Sequence, residues 1–162
     1  MSGSESRAYR CMMIRMIHVP IQRLPGTDDV PLPDYQSDHA AAMDLHAAVD
    51  EPVTIAPGER ALIPCGFKMA VPEGYEAQIR PRSGLAVKHG ISMPNTPGTI
   101  DADYRGQVHV PLINLGHEPF VVERSMRIAQ MLVKPVPRVQ WEQVDELPET
   151  ARGEGGFGHT GR

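Results

Sequence analysis

Glycine and proline interrupt this chain so often that no long helix is expected. The 162 residues include 15 glycines and 16 prolines, and both residue types weaken or end helices. Between them lie short runs in which apolar and polar residues alternate, which is typical of half-buried strands. Such runs lie around Val53 and Ile55 and from Val108 to Leu112, and the apolar segment from Ile128 to Val133 is a further predicted strand. The sequence therefore predicts an all-β fold: an antiparallel sandwich, barrel or jelly roll.

Two local patterns predict particular elements. Alternating apolar residues run from Phe67 to Val71 and from Tyr75 to Ile79, on either side of the turn Pro72-Glu73-Gly74, which predicts a hairpin. The segment 83–90 predicts one or two turns of helix, with Ser83 as N-cap and Gly90 just beyond the C-terminal end.

Composition excludes several classes of function. The 16 Lys+Arg and 20 Asp+Glu give a net charge of −4, which argues against nucleic-acid or anionic-membrane partners because these need a basic face. No apolar run is long enough to cross a membrane. Two cysteines make no disulfide framework, and the N-terminus lacks a secretory signature, so a cytoplasmic location is expected.

The length indicates one domain with flexible ends. Residues 1–14 are polar and are expected to be a disordered extension, and residues 15–145 form the predicted β domain. Residues 146–162 are glycine-rich with one aromatic residue, so they are expected to be a flexible tail.

The tail contains two patterns of phosphate-binding loops. Residues 153–158 match G-x-G-x-x-G, and residues 153–160 resemble a P-loop with histidine in place of lysine. Both motifs require a strand before and a helix after them, and neither is predicted here. Two interpretations remain: a disordered terminus, or a segment that orders on phosphate through its glycines, Arg152 and Thr160.

Three other segments carry candidate chemistry. Asp101 and Tyr104 lie in a turn-rich segment before a strand, where an aspartate can act as a general base and a tyrosine can stack on a ring; alternatively, these residues only cap turns. Arg82 and Ser83 would suit an anion, or form an ordinary helix cap. Asp44 is a lone carboxylate among apolar residues and either pairs with an arginine or holds a hydrated cation.

In order, five segments resemble the motifs of the trimeric dUTPases. They are AAMDLHA at 41–47, PRSGLAVKHGI at 81–91, NTPGTIDADYRG at 95–106, RIAQ at 127–130 and RGEGGFGHTG at 152–161. Five ordered motifs are far more specific than one. The resemblance implies a jelly-roll subunit and a homotrimer with shared active sites, in which the tail of one subunit closes over a site built by the others. The implied reaction is hydrolysis of dUTP to dUMP and pyrophosphate with Mg²⁺, which limits uracil incorporation into DNA and supplies dUMP for thymidylate synthesis.

The resemblance also implies a role for each matching residue. Asp101 would be the base that activates water for attack on the α-phosphate, and Asp44 would contact Mg²⁺ indirectly, through water. The expected substrate-binding residues are Arg82, Ser83, Gly84, Asn95, Gly98, Thr99, Ile100, Tyr104, Gln130, Arg152, Gly156, Phe157, Gly158, His159 and Thr160. Of these, Tyr104 would pack under the deoxyribose, Asn95 would read the uracil edge and Phe157 would stack over it.

Two residues depart from the family pattern, and three alternatives stay open. Ala42 replaces a usual glycine and would be strained if its φ were positive; His159 replaces a common serine.

The alternatives are a dCTP deaminase of the same fold, a non-catalytic trimeric module that binds nucleotide and signals to a protein, and a β-sandwich without a ligand. The intact segment around Asp101 and the complete tail favour the diphosphatase.

Overall fold

Short antiparallel strands dominate the part of the chain that the computed structural model describes, residues 16–156. Within it lie eleven strands and one helix, of seven residues. In chain order they are β1 Ile21–Arg23, β2 Asp34–Tyr35, β3 Met43–His46, β4 Val53–Ile55, β5 Arg60–Met69, β6 Tyr75–Pro81, α1 Ser83–His89, β7 Ile91–Ser92, β8 Gly98–Ile100, β9 Gln107–Asn114, β10 Phe120–Val122 and β11 Arg127–Pro135.

The strands form three open sheets. A four-stranded sheet has the order β1-β5-β9-β7, a five-stranded sheet has the order β2-β3-β11-β6-β8, and β10 pairs with β4. Every pairing is antiparallel. The predicted all-β class is confirmed, as a sandwich of open sheets rather than a closed barrel.

The core lies between the two larger sheets. In β9 the residues Val108, Val110 and Leu112 are buried, while the residues between them are half-buried on the other face. They belong to one apolar cluster with residues of β5 in the same sheet and of β3, β6 and β11 in the other sheet, among them Phe67 and Leu45. Because strand side chains alternate between faces, this cluster joins the inner faces of both sheets.

The hairpin predicted across Pro72-Glu73-Gly74 is wrong. The turn exists, with Gly74 at φ 81°, but β5 pairs with β1 and β9 whereas β6 pairs with β11 and β8. The chain therefore crosses from one sheet to the other at this turn. The same turn residues suit a hairpin and such a crossing. The turn therefore does not reveal which strands pair, because tertiary contacts decide the pairing.

The predicted helix is present, but its N-cap lies one residue earlier than expected. Arg82 occupies the N-cap position with extended backbone, so Ser83 is the first helical residue. In the described part of the chain, the Arg82 side chain makes no capping hydrogen bond. At the other end Gly90 adopts the left-handed conformation at φ 68° and donates to Ala86 O, as expected for a helix-ending glycine.

Candidate active site

Asp44 lies between two arginines on the five-stranded sheet. Its Oδ1 is 3.3 Å from Arg82 Nε, and its Oδ2 is 3.2 Å from Arg127 Nη1. Asp44 is buried, and a buried carboxylate is stable only with such partners. Of the alternatives for Asp44, the structure provides the pairing with arginine. We call Asp44, Arg82, Arg127 and Gln130 the arginine cluster.

Strand register assembles this cluster from distant parts of the sequence. Strand β11 lies between β3 and β6, and Gln130 on it faces Asp44 across the β3–β11 pair. On the other side, Gln130 Nε2 donates to Pro81 O at 2.9 Å. Arg82 Nη1 donates to Arg127 O at 3.0 Å, next to an irregularity in the pairing between Arg127 and Ala129. Three motifs, expected separately, therefore meet at one place.

The arginine cluster carries an excess positive charge. Two guanidinium groups face one carboxylate, and the side chains of Arg82 and Arg127 are 26% and 47% exposed. Arg82 Nη2 takes part in neither contact described above. Ser83 and Gly84 follow in the first turn of α1, where backbone N–H groups have no acceptor within the helix. This combination of cationic and neutral donors suits phosphate oxygens.

His46 is a buried member of the same neighbourhood that sequence reasoning did not single out. Its backbone pairs with Arg127 across β3 and β11, and among the described residues its Nδ1 has no hydrogen-bond partner. Burial lowers the pKa of His46, the Asp44 carboxylate raises it by less, and Arg127 and Arg82 lower it further. The signal that could have found it is the i, i+2 spacing from Asp44, which places both side chains on one face of β3.

Ala42, just before β3, has no strained backbone. Among the described residues, Ser125 is the one non-glycine residue with positive φ, at 62°. The strain that a positive φ would impose on alanine at this position therefore does not arise.

Asp101 and Tyr104 line one cleft of about 190 Å³. The cleft lies between the end of β8 and the start of β9, and we call it the Tyr104 cleft. Tyr104 N donates to Asp101 O at 3.2 Å, which closes a turn between them. The side chains of Asp101 and Tyr104 are exposed, so a bound molecule can reach them. The residues that line the Tyr104 cleft are Thr99, Ile100, Asp101, Tyr104, Gln107, Val108 and His109.

The Tyr104 ring is held from two directions. Its hydroxyl donates to Gln107 O at 2.9 Å. A Cβ placed on Gly106 would come within 2.3 Å of the Tyr104 hydroxyl oxygen, so the ring packs directly on the bare backbone of that glycine. A larger residue at 106 would displace the ring.

Asn95 and Gly98 lie before this cleft in the chain. A Cβ on Gly98 would approach Asn95 Nδ2 to 3.3 Å, so the amide packs closely over the glycine backbone. Thr96 Oγ1 donates to Met93 O at 2.7 Å, and the Thr96–Pro97 peptide is cis. The segment 95–106 does not form a hairpin, because β8 pairs with β6 while β9 pairs with β5 and β7.

The arginine cluster and the Tyr104 cleft lie at opposite ends of β6. Ile100 pairs with Ala77 near the start of β6, whereas Arg82 follows its last residue, Pro81. Five residues of extended chain separate Ala77 from Arg82, which corresponds to about 16 Å. Within one chain, therefore, the two groups of predicted residues do not meet around the same reacting atom of a bound small molecule.

The described part of the tail forms a turn near the chain end. Arg152 Nε donates to Gly155 O at 2.6 Å, and Gly153 N donates to Thr150 O at 3.0 Å. Gly156 is the last described residue. Four of the expected substrate-binding residues lie outside the described residues: Phe157, Gly158, His159 and Thr160.

Residues 16–156 contain neither a cluster of metal ligands nor a reactive cysteine. No group of three or more His, Cys, Asp or Glu residues is arranged there to hold a metal ion. Burial raises the pKa of the Cys65 thiol to about 12, which makes it a poor nucleophile. Over the same range, no helix has the length and apolarity needed to span a membrane.

Comparison with known proteins identifies the family. The sequence model of the family described as dUTPase matches residues 28–161. This match includes all five motif segments.

Solved structures of phage enzymes share the fold. The dUTPase of Staphylococcus bacteriophage 80alpha with dUpNHpp superposes with a TM-score of 0.79 at 24% identity, over 91% of this chain and 100% of that chain. A mutant dUTPase from phage phi11 of S. aureus, described as coordinating a structural Mg(II) ion, superposes with a TM-score of 0.71 at 20% identity, over 80% of this chain and 98% of that chain.

Proposed function

The chain belongs to the dUTPase family, and we propose that it hydrolyses dUTP to dUMP and pyrophosphate by attack of water on the α-phosphorus. The observation that carries the mechanism is the presence of Asp101 and Tyr104 in one exposed cleft. In a cell this reaction would limit uracil incorporation into DNA and supply dUMP for thymidylate synthesis.

Asp101 is the proposed catalytic base. Its carboxylate orients a water molecule and takes one of its protons as the oxygen attacks the α-phosphorus. The bond from that phosphorus to the oxygen bridging towards the β-phosphorus breaks, and pyrophosphate leaves with the electron pair. The turn closed by Tyr104 N and Asp101 O fixes the backbone of the base, so little reorganisation is needed during reaction.

Tyr104 and the loop before it provide the proposed selectivity. The Tyr104 ring packs under the deoxyribose and leaves no room for a 2′-hydroxyl. Asn95, with the backbone of Gly98, Thr99 and Ile100, reads the uracil edge. Cytosine presents a different pattern of donors and acceptors, and a mispaired buried polar group costs enough to discriminate between the bases.

The arginine cluster is the proposed phosphate site. Arg82, Ser83, Gly84 and Gln130 contact the phosphates, supported by the excess positive charge around Asp44. Stabilising charge and positioning the phosphates is most of what such a reaction requires of a protein.

Mg²⁺ fits this site as a metal held mainly by the triphosphate and water. No three-ligand cluster occurs in residues 16–156, and Mg²⁺ commonly binds through phosphates, water and one or two carboxylates. Asp44 is the carboxylate that would meet it, through water, because both its oxygens are engaged by arginines. When bound, the metal would neutralise phosphate charge and hold the chain of phosphates in one conformation.

The tail is the proposed lid. Arg152, Gly156, Gly158, His159 and Thr160 would clamp the terminal phosphate, and Phe157 would stack over the uracil. Residues 136–156 contain no strand or helix of their own, which is consistent with a segment that orders on a bound ligand.

Association into a homotrimer with shared sites would bring the two halves of the site together. The arginine cluster and the Tyr104 cleft are about 16 Å apart along β6, so a neighbouring chain is needed to place one against the other. The exposed apolar side chains after β11 support association: Trp141 is 90% exposed and Leu147 is 82% exposed.

The first experiment measures pyrophosphate release from dUTP, dCTP, dTTP and UTP, with Mg²⁺ and then with EDTA. Fast release from dUTP alone, abolished by EDTA, is expected. Ammonia from dCTP would instead make the protein a deaminase. Binding of dUTP without turnover of any substrate would leave a nucleotide-binding module.

Two neighbouring carboxylates allow a matched test of the base. Asp101→Asn is expected to bind dUTP as the wild type does but to lose about 10²- to 10⁴-fold in kcat. Asp103→Asn changes an exposed acid of the same turn that does not line the cleft, and it is expected to stay within about threefold of the wild type. Equal losses in both variants would contradict the assignment of Asp101.

A further inference from the structure

His109 lines the Tyr104 cleft, and the proposed chemistry does not use it. Its Nδ1 lies 3.0 Å from Gln107 O, the same carbonyl oxygen that accepts the Tyr104 hydroxyl at 2.9 Å. Because residues two apart on a strand share a face, the His109 and Gln107 side chains project to the same side of β9. One carbonyl therefore connects a histidine to the tyrosine that would pack against the sugar.

The Gln107 carbonyl lies beside an irregularity in the pairing of β5 with β9. Pro64 pairs with His109 and Lys68 pairs with Gln107, so three residues of β5 oppose Val108 alone. Backbone groups of the bulged strand have other partners: Pro64 O accepts from Ala48 N, and Gly66 O accepts from Leu24 N.

The His109 contact requires a proton on Nδ1 of the imidazole. A carbonyl oxygen only accepts, so the contact is a hydrogen bond when Nδ1 carries the proton. A carbonyl has two lone pairs, which is enough for both the Tyr104 hydroxyl and His109 Nδ1–H. The neutral ring then leaves Nε2 without a proton.

We propose that His109 is a positioning residue that fixes the Gln107 carbonyl as the anchor of the Tyr104 hydroxyl and thereby sharpens selection of deoxyribose over ribose. The ring of Tyr104 is confined between this anchor and Gly106. Without His109 the Gln107 peptide has one restraint fewer, and the ring gains freedom to move away from a 2′-hydroxyl. The effect on selectivity rests on the proposed function, whereas the hydrogen bond does not.

The hydrogen bond is tested without any substrate. In the ligand-free protein at pH 8, the imidazole ¹⁵N shifts of His109 are assigned by their loss in His109→Asn. A protonated Nδ1 and a bare Nε2 are expected. The opposite tautomer would overturn the proposal, because a bare Nδ1 cannot donate to a carbonyl.

The effect on selectivity is tested with a matched pair of variants. His109→Asn keeps an N–H donor at the same number of bonds from the backbone, and His109→Leu removes it. For His109→Leu, the ratio of kcat/KM for dUTP to that for UTP is expected to fall roughly fivefold, the effect of about one hydrogen bond, with kcat for dUTP within about threefold of the wild type. His109→Asn is expected to keep the ratio within about twofold.

An unchanged ratio in His109→Leu, or an equal fall in both variants, would overturn the positioning role. If the wild-type protein turns over neither nucleotide, the proposed function fails, and the ¹⁵N experiment still decides whether the His109 hydrogen bond exists.

Discussion

At the scale of single residues, Asp44 shows what can and cannot be deduced from a sequence. A carboxylate between apolar neighbours must have a partner, so the need for one is predictable. The identity of the partners is not predictable, because Arg127 lies 83 residues further along the chain and Arg82 follows the end of another strand, β6. Which of several arginines closes on Asp44 is decided by the register of β3, β11 and β6, which no local pattern encodes.

The buried His46 leads to a prediction about how the free energy of unfolding depends on pH. Its folded-state pKa is lowered, chiefly by burial, so the unfolded chain binds this proton more readily than the folded chain. The stability that neutral His46 contributes is present above its unfolded pKa, near 6.5, and is lost as the pH falls from there through the lower folded pKa. The free energy of unfolding should therefore decline on acidification below about pH 6.5.

Urea denaturation at several pH values between 8 and 5 measures this decline. His46→Gln, which cannot titrate, is expected to flatten the profile below about pH 6.5. His117→Gln, in the exposed turn before β10, controls for the removal of a histidine. A profile for His46→Gln that parallels the wild type would show that His46 is not the group responsible.

At the scale of elements, strands were predictable where alternation matches burial. Val108, Val110 and Leu112 alternate in sequence and are buried in β9 as predicted. Pairing is less predictable: the sequence predicts the turn at Gly74 but not the sheet to which the next strand belongs. A strand's inner face depends on its own sequence, whereas its neighbours depend on contacts across the whole molecule.

Gly90, at the end of α1, gives a prediction at this scale. Its φ is 68°, and a Cβ there would lie 2.5 Å from Gly116 N, which is backbone and cannot easily move. Gly90→Ala therefore combines conformational strain with a steric clash and should cost about 3 kcal/mol of unfolding free energy or more.

Gly58 provides a matched control because it has the strain without the clash. Its φ is 80°, and no atom of residues 16–156 lies within 4 Å of the added Cβ. Gly58→Ala should cost only about 1 kcal/mol. Denaturant titration compares the two, and equal losses would mean that the close approach of Gly90 to Gly116 is relieved at little cost.

At the scale of the whole molecule, one chain holds two incomplete halves of the proposed site. The first four of the five motifs are divided by the fold between the arginine cluster and the Tyr104 cleft, at opposite ends of β6. The spacing of the motifs along the sequence contains no information about this division, because the division depends on which strands pair. The resemblance to a trimeric family implied shared sites, whereas composition and periodicity alone did not.

Subunit mixing tests whether different chains complete each other. Asp101→Asn and Arg82→Gln chains, each inactive alone, are mixed in equal amounts, unfolded and refolded together. If every site takes Asp101 from one chain and Arg82 from another, random assembly gives about one quarter of the sites both native residues. The mixture should then recover about one quarter of the wild-type rate, whereas sites built within one chain would recover none.

A second mixture removes the possibility that refolding yield alone explains the result. Chains carrying both changes are mixed with an equal amount of wild type. If sites are shared, about one quarter of the wild-type rate remains, because Asp101 and Arg82 each come from a wild-type chain with a probability of about one half. If each site is built within one chain, about one half of the rate remains. Recovery near one quarter in both mixtures is specific to sites shared between chains, and no recovery in the first with one half in the second would place the whole site in a single chain.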